Sequence, residues 1–227
     1  MKNLPDVAEK SRVVEAMFDR IAPRYDALNR LLTFRMDTRW RRITVDALAA
    51  EPGAHVLDLA CGTGDLCVEL DGRGHHPVGL DFSAGMLRAT RAHVPLVRAD
   101  AMHLPFEDRA FDAITCGFGL RNFTAIAPVL AECARVVRPG GRVAMLEVSE
   151  PTGRAMRALH GLYFRHIVPF IGGLLSDKAA YRYLPASTAY LPSQPALLAM
   201  FVDAGVVDVS TRALGFGAAS LVAGTRA

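Results

Sequence analysis

The residues best able to do chemistry stand in the run Val56-Leu-Asp-Leu-Ala-Cys-Gly-Thr-Gly-Asp65, where an apolar strand pattern passes straight into a Gly-x-Gly turn. Gly62 and Gly64 lack the Cβ atoms that would hold a ligand away from the backbone, so something is expected to bind closely there. Nineteen residues after Gly62, Asp81 ends the next apolar run, where a carboxylate can accept both hydroxyls of a ribose. Asp100, followed by Ala101, ends the third run, where an adenine edge would be read. A nicotinamide dinucleotide and S-adenosylmethionine both fit this pattern. The third glycine of a dinucleotide loop is replaced by Cys67, which weakens a pyrophosphate site. Asp58, facing the same loop, suits the ammonium group of a methionine moiety better than a diphosphate.

These positions need a sheet to carry them. Short strands are expected over 55–60, 77–81, 96–99, 111–116 and 142–148, the last after the Pro139-Gly140-Gly141 turn. Helices are expected between them over 65–70, from an N-cap at Ser83 to Ala92, and over 126–137. Strand and helix alternating at this length imply βαβ crossovers and a parallel sheet covered on both faces, with ligands at the carboxyl ends of the strands. Before this core, residues 7–20 show partly helical spacing that stops ahead of Pro23, and a second helix is expected from Asp37 as N-cap through Trp40, Ile43 and Leu48. Over 151–191 the rhythm breaks into helical sequence carrying Tyr163, Phe164, Phe170, Tyr181, Tyr183 and Tyr190, read as a substrate cover. Ser193 is expected to cap a helix over 195–204, and 206–214 and 219–225 to form the last two strands. The fold class is therefore α/β, a mostly parallel seven-stranded sheet with a helical N-terminal segment and a helical insertion. The whole of 1–227 reads as a single domain: cap 1–50, core 51–150, cover 151–191, closing helix and strands 192–227.

Composition bounds the function. With 227 residues, 51% hydrophobic and 22% charged, the chain has enough apolar sequence for a buried core and is not intrinsically disordered. A formal charge of +3, from 26 basic and 23 acidic residues, is not the footprint of a nucleic-acid binder. Arg35, Arg39, Arg41 and Arg42 form one dense basic cluster, read as a solvated helix face, with an anionic membrane surface as the alternative. Cys61, Cys67, Cys116 and Cys133 lack metal-ligand spacing and read as reduced core thiols, and no metal is expected. The start of the chain has no apolar leader and no run is long enough to span a bilayer, so a cytoplasmic protein, at most peripheral to a membrane, is expected.

Three stretches carry a resemblance: Tyr25-Asp-Ala-Leu-Asn29 with Trp40 eleven residues on, Phe118-Gly-Leu-Arg-Asn122, and Arg135-Val-Val-Arg-Pro-Gly-Gly-Arg-Val-Ala-Met-Leu-Glu-Val-Ser149. With Tyr181-Arg-Tyr-Leu-Pro-Ala-Ser187, they make the chain resemble, over nearly its whole length, the class I S-adenosylmethionine methyltransferases. More narrowly, it resembles the family that C-methylates demethylmenaquinone and related ubiquinone precursors. The resemblance implies a Rossmann-like fold, S-adenosylmethionine as cofactor with S-adenosylhomocysteine as product, and cofactor contacts from Thr63, Asp81, Asp100 and Ala101. With Asp58, Gly62, Gly64, Phe82 and Gly117 these complete the candidate cofactor site. The sequence departs from the family at Gly117, where Ser is common, at Thr33 and Asp37, where the pattern has Ser and His, and at Gly215-Phe-Gly-Ala-Ala-Ser-Leu221.

The implied reaction is attack by an electron-rich ring carbon of a quinol on a sulfonium methyl group, which needs the adjacent hydroxyl deprotonated and the two carbons held in line. Arg121 is the candidate for stabilising phenolate charge and Asn122 for orienting the ring or a water, the alternative being that both cap a turn. Tyr25 is expected to close the site, or to pack as an ordinary aromatic. His160 and His166 are further candidate bases, or structural histidines. A phenolic or amine metabolite as acceptor, and a non-catalytic S-adenosylmethionine-binding module, remain alternatives. Expected partners are a lipophilic polyprenyl quinol, a membrane surface touched through 163–175, and a second copy in a homo-oligomer.

Overall fold

The structure, a computed structural model, describes residues 7–227; the first six residues, part of the stretch read for a leader, lie outside the described residues. Seven strands form one sheet: β1 (His55–Leu59), β2 (His76–Asp81), β3 (Leu96–Arg98), β4 (Phe111–Gly117), β5 (Val137–Val148), β6 (Val206–Leu214) and β7 (Ala219–Arg226). Their order is β3-β2-β1-β4-β5-β7-β6, and β7 alone runs antiparallel to its neighbours. The chain thus moves outward from β1 to β3, crosses back to β4, and leaves a crevice over the carboxyl ends of β1 and β4, where the strand order reverses.

Side chains alternate across each strand with a period of two, and here both faces are covered. Leu57 and Leu59 of β1 and Val143 and Met145 of β5 face one layer, formed by α6 (Ile126–Val136) and α10 (Gln194–Asp203) with Leu130, Leu197 and Phe201. Val56, Ala144 and Leu146 face the other, formed by α3 (Met36–Asp46) and α4 (Asp65–Asp71) with Trp40, Leu66 and Leu70. All four cysteines are buried free thiols.

A second apolar cluster lies over the crevice. It joins α1 (Val7–Ile21), α2 (Tyr25–Leu32) and α5 (Ala84–Arg88) to the insertion helices α8 (Val168–Leu175) and α9 (Lys178–Ser187) through Val14, Ile21, Leu28, Met86, Val168 and Tyr181. Gly172 lets α8 approach Tyr181, because a Cβ there would overlap the ring. In the insertion, α7 (Arg154–Leu162) continues through a π turn at Tyr163–Ile167 into α8. The wide turn stands just ahead of Pro169, which has no N–H for the usual helical bond and whose ring crowds the preceding turn.

Several expected boundaries move. The helix given an N-cap at Asp37 begins instead at Met36, behind Phe34 and Arg35 in left-handed conformations with φ of 51° and 61°. Asp37 lies inside that first turn because its carboxylate accepts from Thr33 Oγ1 at 2.7 Å and pairs with Arg41 at 2.6 Å. Arg41 is therefore buried, unlike the exposed Arg35, Arg39 and Arg42, and the basic cluster is not one solvated face. The helix capped by Ser83 stops at Arg88, short of Ala92. Strand β5 starts at Val137 and carries Pro139-Gly140-Gly141 within it, with a register shift opposite Phe111 and Ala113.

Candidate active site

Two cavities meet above the crevice. The first follows the carboxyl ends of β1, β2 and β4, and its walls include Gly62, Asp81, Phe82, Asp100, Ala101, Gly117 and Asn122. The glycine turn gives it a floor of backbone: Gly62 has a φ of 57° and Gly64, the N-cap of α4, a φ of 85°, values that favour glycine. A side chain at Gly64 would also run into Thr90 and Ala92. Asp81 braces the turn. Its Oδ2 accepts the Gly62 N–H and its Oδ1 the Ser83 N–H, both at 2.8 Å, with the Phe82 N–H also directed at the carboxylate, which still leaves acceptor capacity for a diol. Burial pushes the Asp81 carboxyl above its ordinary value, against the pull of these amides. Asp100 accepts the Met102 N–H at 2.9 Å, and Phe82, 38% exposed, offers a ring at the rim.

Helix α1 closes this crevice with Ser11, Val14 and Phe18. It is held by Asp19, which accepts from Ser83 Oγ and the Gly85 N–H, by Lys10, whose Nζ donates to the Phe123 carbonyl at 2.6 Å, and by a Glu15–Arg98 pair at 2.7 Å. Burial lowers the Lys10 ammonium to about 8.

Of the turn, Gly62 alone lines the cavity; Thr63 and Gly64 beside it, and Asp58 behind the turn, do not. Asp58 accepts from Thr115 Oγ1 at 2.9 Å and from the Cys67 thiol at 3.4 Å, and burial pushes its carboxyl up to about 7. Thr63 donates to Asp26 at 2.5 Å, tying the turn to α2. Gly117 lines the crevice, and a Cβ there would meet Leu66 Cδ1 at 2.9 Å, so Leu66 occupies the space a serine would need.

The second cavity, of about 410 Å³, is within the range that takes a drug-sized ligand, and its lining is mostly carbon, including Trp40, Phe34, Leu159, Phe164 and Phe216. Its polar side chains are Tyr25, Asn29, Thr33, the Asp37–Arg41 pair, Arg121, His160 and Tyr163, whose hydroxyl donates to the Leu32 carbonyl at 2.8 Å. Tyr25 and Phe118 belong to the walls of both cavities, so the two spaces adjoin there. Burial raises the Tyr25 phenol, opposed by the Arg121 charge and a hydrogen bond with Asn29. Burial lowers His160, whose ring stacks on Phe164 at 5.4 Å, while His166 is exposed.

Arg121 is 3% exposed and forms an ion pair with Glu147, also accepted by the Phe118 carbonyl at 2.9 Å, while its Nε has no partner. Asn122 accepts from the Tyr183 hydroxyl at 3.3 Å and donates to Phe118 O at 3.4 Å. Both lie in a 3-10 turn, Leu120–Asn122, and neither caps α6, whose N-cap is Ala125.

The family model described as the ubiE/COQ5 methyltransferase family matches residues 6–226. The chain belongs to this family. It is 45% identical to the demethylmenaquinone methyltransferase of Thermus thermophilus over 220 residues, covering 92% of this chain and 100% of that one. It is 39% identical to the ubiquinone/menaquinone biosynthesis C-methyltransferase UbiE of Geobacter sulfurreducens over 233 residues, covering 97% and 91%. Among solved structures, a SAM-dependent methyltransferase from Thermotoga maritima superposes with a TM-score of 0.68 at 18% identity, covering 94% of this chain and 99% of that one. Phosphoethanolamine N-methyltransferase 2 of Haemonchus contortus, in complex with S-adenosyl-L-methionine, gives 0.60 at 13% identity, covering 83% and 52%. These likenesses agree with the Rossmann-like methyltransferase fold.

In this methyltransferase the fold therefore brings Tyr25, Arg121, Asn122 and the strand-end residues to two adjoining cavities. Sequence reasoning missed Ser11, Val14 and Phe18 as a cover over the crevice, and Asp26 and Glu147 as buried partners. The spacing of α1 marked an apolar face without saying what it covers. Glu147 lay inside the quoted Met-Leu-Glu-Val-Ser stretch, where a lone acid in an apolar strand was the available signal.

Proposed function

We propose that the protein transfers the methyl group of S-adenosylmethionine to a ring carbon of a demethylmenaquinol-like polyprenyl quinol, in menaquinone or ubiquinone biosynthesis. The observation that carries this reading is the junction of a strand-end crevice and a carbon-lined cavity at Tyr25 and Phe118. The kinship to a demethylmenaquinone methyltransferase supplies the acceptor class. Asp81 takes the ribose hydroxyls, Asp100 and Ala101 the adenine edge, and Phe82 covers the base. Gly62 and Gly117 admit the ligand to the backbone, and Thr63 and Gly64 shape the turn with Asp58 behind it. The crevice fits such a ligand because the Asp81 oxygens retain acceptor capacity beside an unobstructed Gly62.

A sulfonium held by these residues would supply an electrophilic methyl group to an acceptor in the adjoining cavity. The acceptor carbon becomes nucleophilic as its neighbouring hydroxyl releases a proton. Arg121 shares its charge with Glu147, so it acts on the phenolate as a hydrogen-bond donor more than as a free cation, and a guanidinium with an unsatisfied buried donor gains from an added oxygen. Asn122, held by Tyr183 and Phe118, keeps the ring edge in line, and Tyr25 fills the gap between the cavities.

The test is mass spectrometry of anaerobic mixtures of the protein, S-adenosylmethionine and either reduced demethylmenaquinone or a panel of simple phenols and amines. A quinol one methyl heavier is expected; methylation of another panel member alone, or of none while the cofactor binds, refutes the acceptor. Arg121→Lys, which keeps a cation beside Glu147, and Asn122→Ala are expected to bind cofactor normally and turn over at least tenfold more slowly. Wild-type rates in both would remove these residues from the mechanism.

A further inference from the structure

The mouth of the second cavity is unusually apolar on its outer side. Phe34 and Phe216 both line the cavity, yet they are 73% and 82% exposed. Each is also held in the left-handed region, with φ of 51° and 58°, a conformation that is costly for a bulky residue. The two rings belong to separate loops, so backbone strain is used twice to present aromatic surface at one opening.

The exposed apolar surface continues along the insertion. From Arg154 to Leu175 the chain is helical without a break, about 33 Å at 1.5 Å per residue. Helix α7 and the π turn have no buried residue. Leu159, Leu162, Phe170 and Leu174 are 58 to 75% exposed. An exposed apolar patch of this kind marks a contact surface. No described helix is long and apolar enough to cross a membrane, and this one is packed through Val168 and Gly172 against Tyr181 with its other side outward.

Charge decides the occupant. Over 151–191 there are five cationic side chains, Arg154, Arg157, Arg165, Lys178 and Arg182, against Asp177 alone. All five cations are exposed, and none has a carboxylate partner among the described residues, whereas Asp177 is taken by Arg20 and by the Ala180 N–H. A second copy docked on this face by a two-fold axis would set these cations against their own kind. A bilayer bearing anionic headgroups complements both the cations and the apolar side chains.

We infer that the 154–175 helix, with Phe34 and Phe216, is a docking surface for an anionic lipid bilayer. The docked protein holds its acceptor cavity open to the lipid, so that a ring can enter while its tail stays in the membrane. This last step rests on the proposed lipophilic acceptor; the docking does not.

The test is co-sedimentation of the full-length protein with vesicles of phosphatidylglycerol and phosphatidylcholine in equal parts, or of phosphatidylcholine alone, with no acceptor present. Wild type is expected to partition at least tenfold more strongly to the anionic vesicles. The Phe170→Ser/Leu174→Ser double variant, altered away from both cavities, is expected to lose at least tenfold of that partition. Its melting temperature and its turnover of a short-tailed quinol should stay at wild-type values. An Arg154→Gln/Arg157→Gln/Arg165→Gln variant gives a second, independent loss. Equal partition to both vesicle types, wild-type partition by both variants, or a concentration-dependent dimer that the apolar variant abolishes while vesicles are ignored, would each overturn the assignment. Because vesicle binding is read without methyl transfer, failure of the proposed reaction would leave this result standing, and the reverse.

Discussion

Replacing Asp81 with Asn keeps the size of the side chain and turns one acceptor oxygen into a donor. In the native protein both oxygens are occupied, one by the Gly62 N–H and one by the Ser83 N–H. Whichever way the amide is oriented, one of these N–H groups then faces an NH2 group, and the diol loses one of its two acceptors. Hydrogen bonds to a charged group contribute about 1.5–3 kcal/mol. Loss of one such bond to the ribose corresponds to a rise in the S-adenosylmethionine Kd of about 10- to 100-fold. The unpaired backbone amide costs the free protein about 1–3 kcal/mol, or about 2–12 °C in Tm for a chain of this size. Titration calorimetry with S-adenosylmethionine and S-adenosylhomocysteine, beside thermal melts with and without ligand, separates the two effects. A Kd within twofold of wild type would refute the ribose contact. If the Tm falls while Kd is unchanged, Asp81 braces the glycine turn and nothing more.

Three further outcomes follow from buried charge and close packing. The Asp58 carboxyl is pushed up to about 7 by burial, against about 3.9 in an unfolded chain. The native state therefore keeps a proton that the unfolded chain releases between about pH 4 and 7, and stability falls as pH rises through that window by up to about 1.4 kcal/mol per unit. Asp58→Asn lacks this slope, so denaturant titrations of the two proteins should diverge in its favour from pH 4 to 7; a constant difference would refute the burial argument. Asp37→Asn leaves the buried Arg41 with Asp65 alone, at 3.3 Å, and should cost about 3 kcal/mol or more in urea unfolding. Gly215→Ala drives a Cβ into the Trp40 ring at the cavity wall, so steady-state kinetics should show KM for the acceptor rising several-fold while the S-adenosylmethionine Kd holds.

The core of the sheet was legible because strands buried on both faces write themselves as short apolar runs, and the glycine turn and Asp81 because backbone approach demands particular residues. The N-terminal region was less so. Within the expected helical cap, the separate helix Tyr25–Leu32 was not marked out, since its polar positions Asp26 and Arg30 face partners distant in sequence, Thr63 for Asp26 and Asp65 for Arg30. Asp37 looked like a cap because Asp commonly caps, and only the fold shows Arg41 and Thr33 claiming its carboxylate. Arg121 was singled out by its motif, but its charge balance was hidden, because Glu147 lies 26 positions away on the neighbouring strand. Local rules find the turns and caps that local chemistry dictates; pairing across the sheet needs the sheet.

Helix α1 lies across the crevice like a bar on a door, and its three polar clasps are far apart: Lys10 on the Phe123 carbonyl, Glu15 on Arg98, Asp19 on the start of α5. A ligand enclosed beneath such a bar leaves only as fast as the bar lifts, whatever the strand tips contribute to equilibrium binding. The clasps at Lys10, Glu15 and Asp19 lie outside the lining of the crevice, so they bear on exchange without touching what it encloses. Loosening a clasp hastens entry and departure together, so the number of turnovers per second can change at the amino-terminal helix with the reacting geometry untouched.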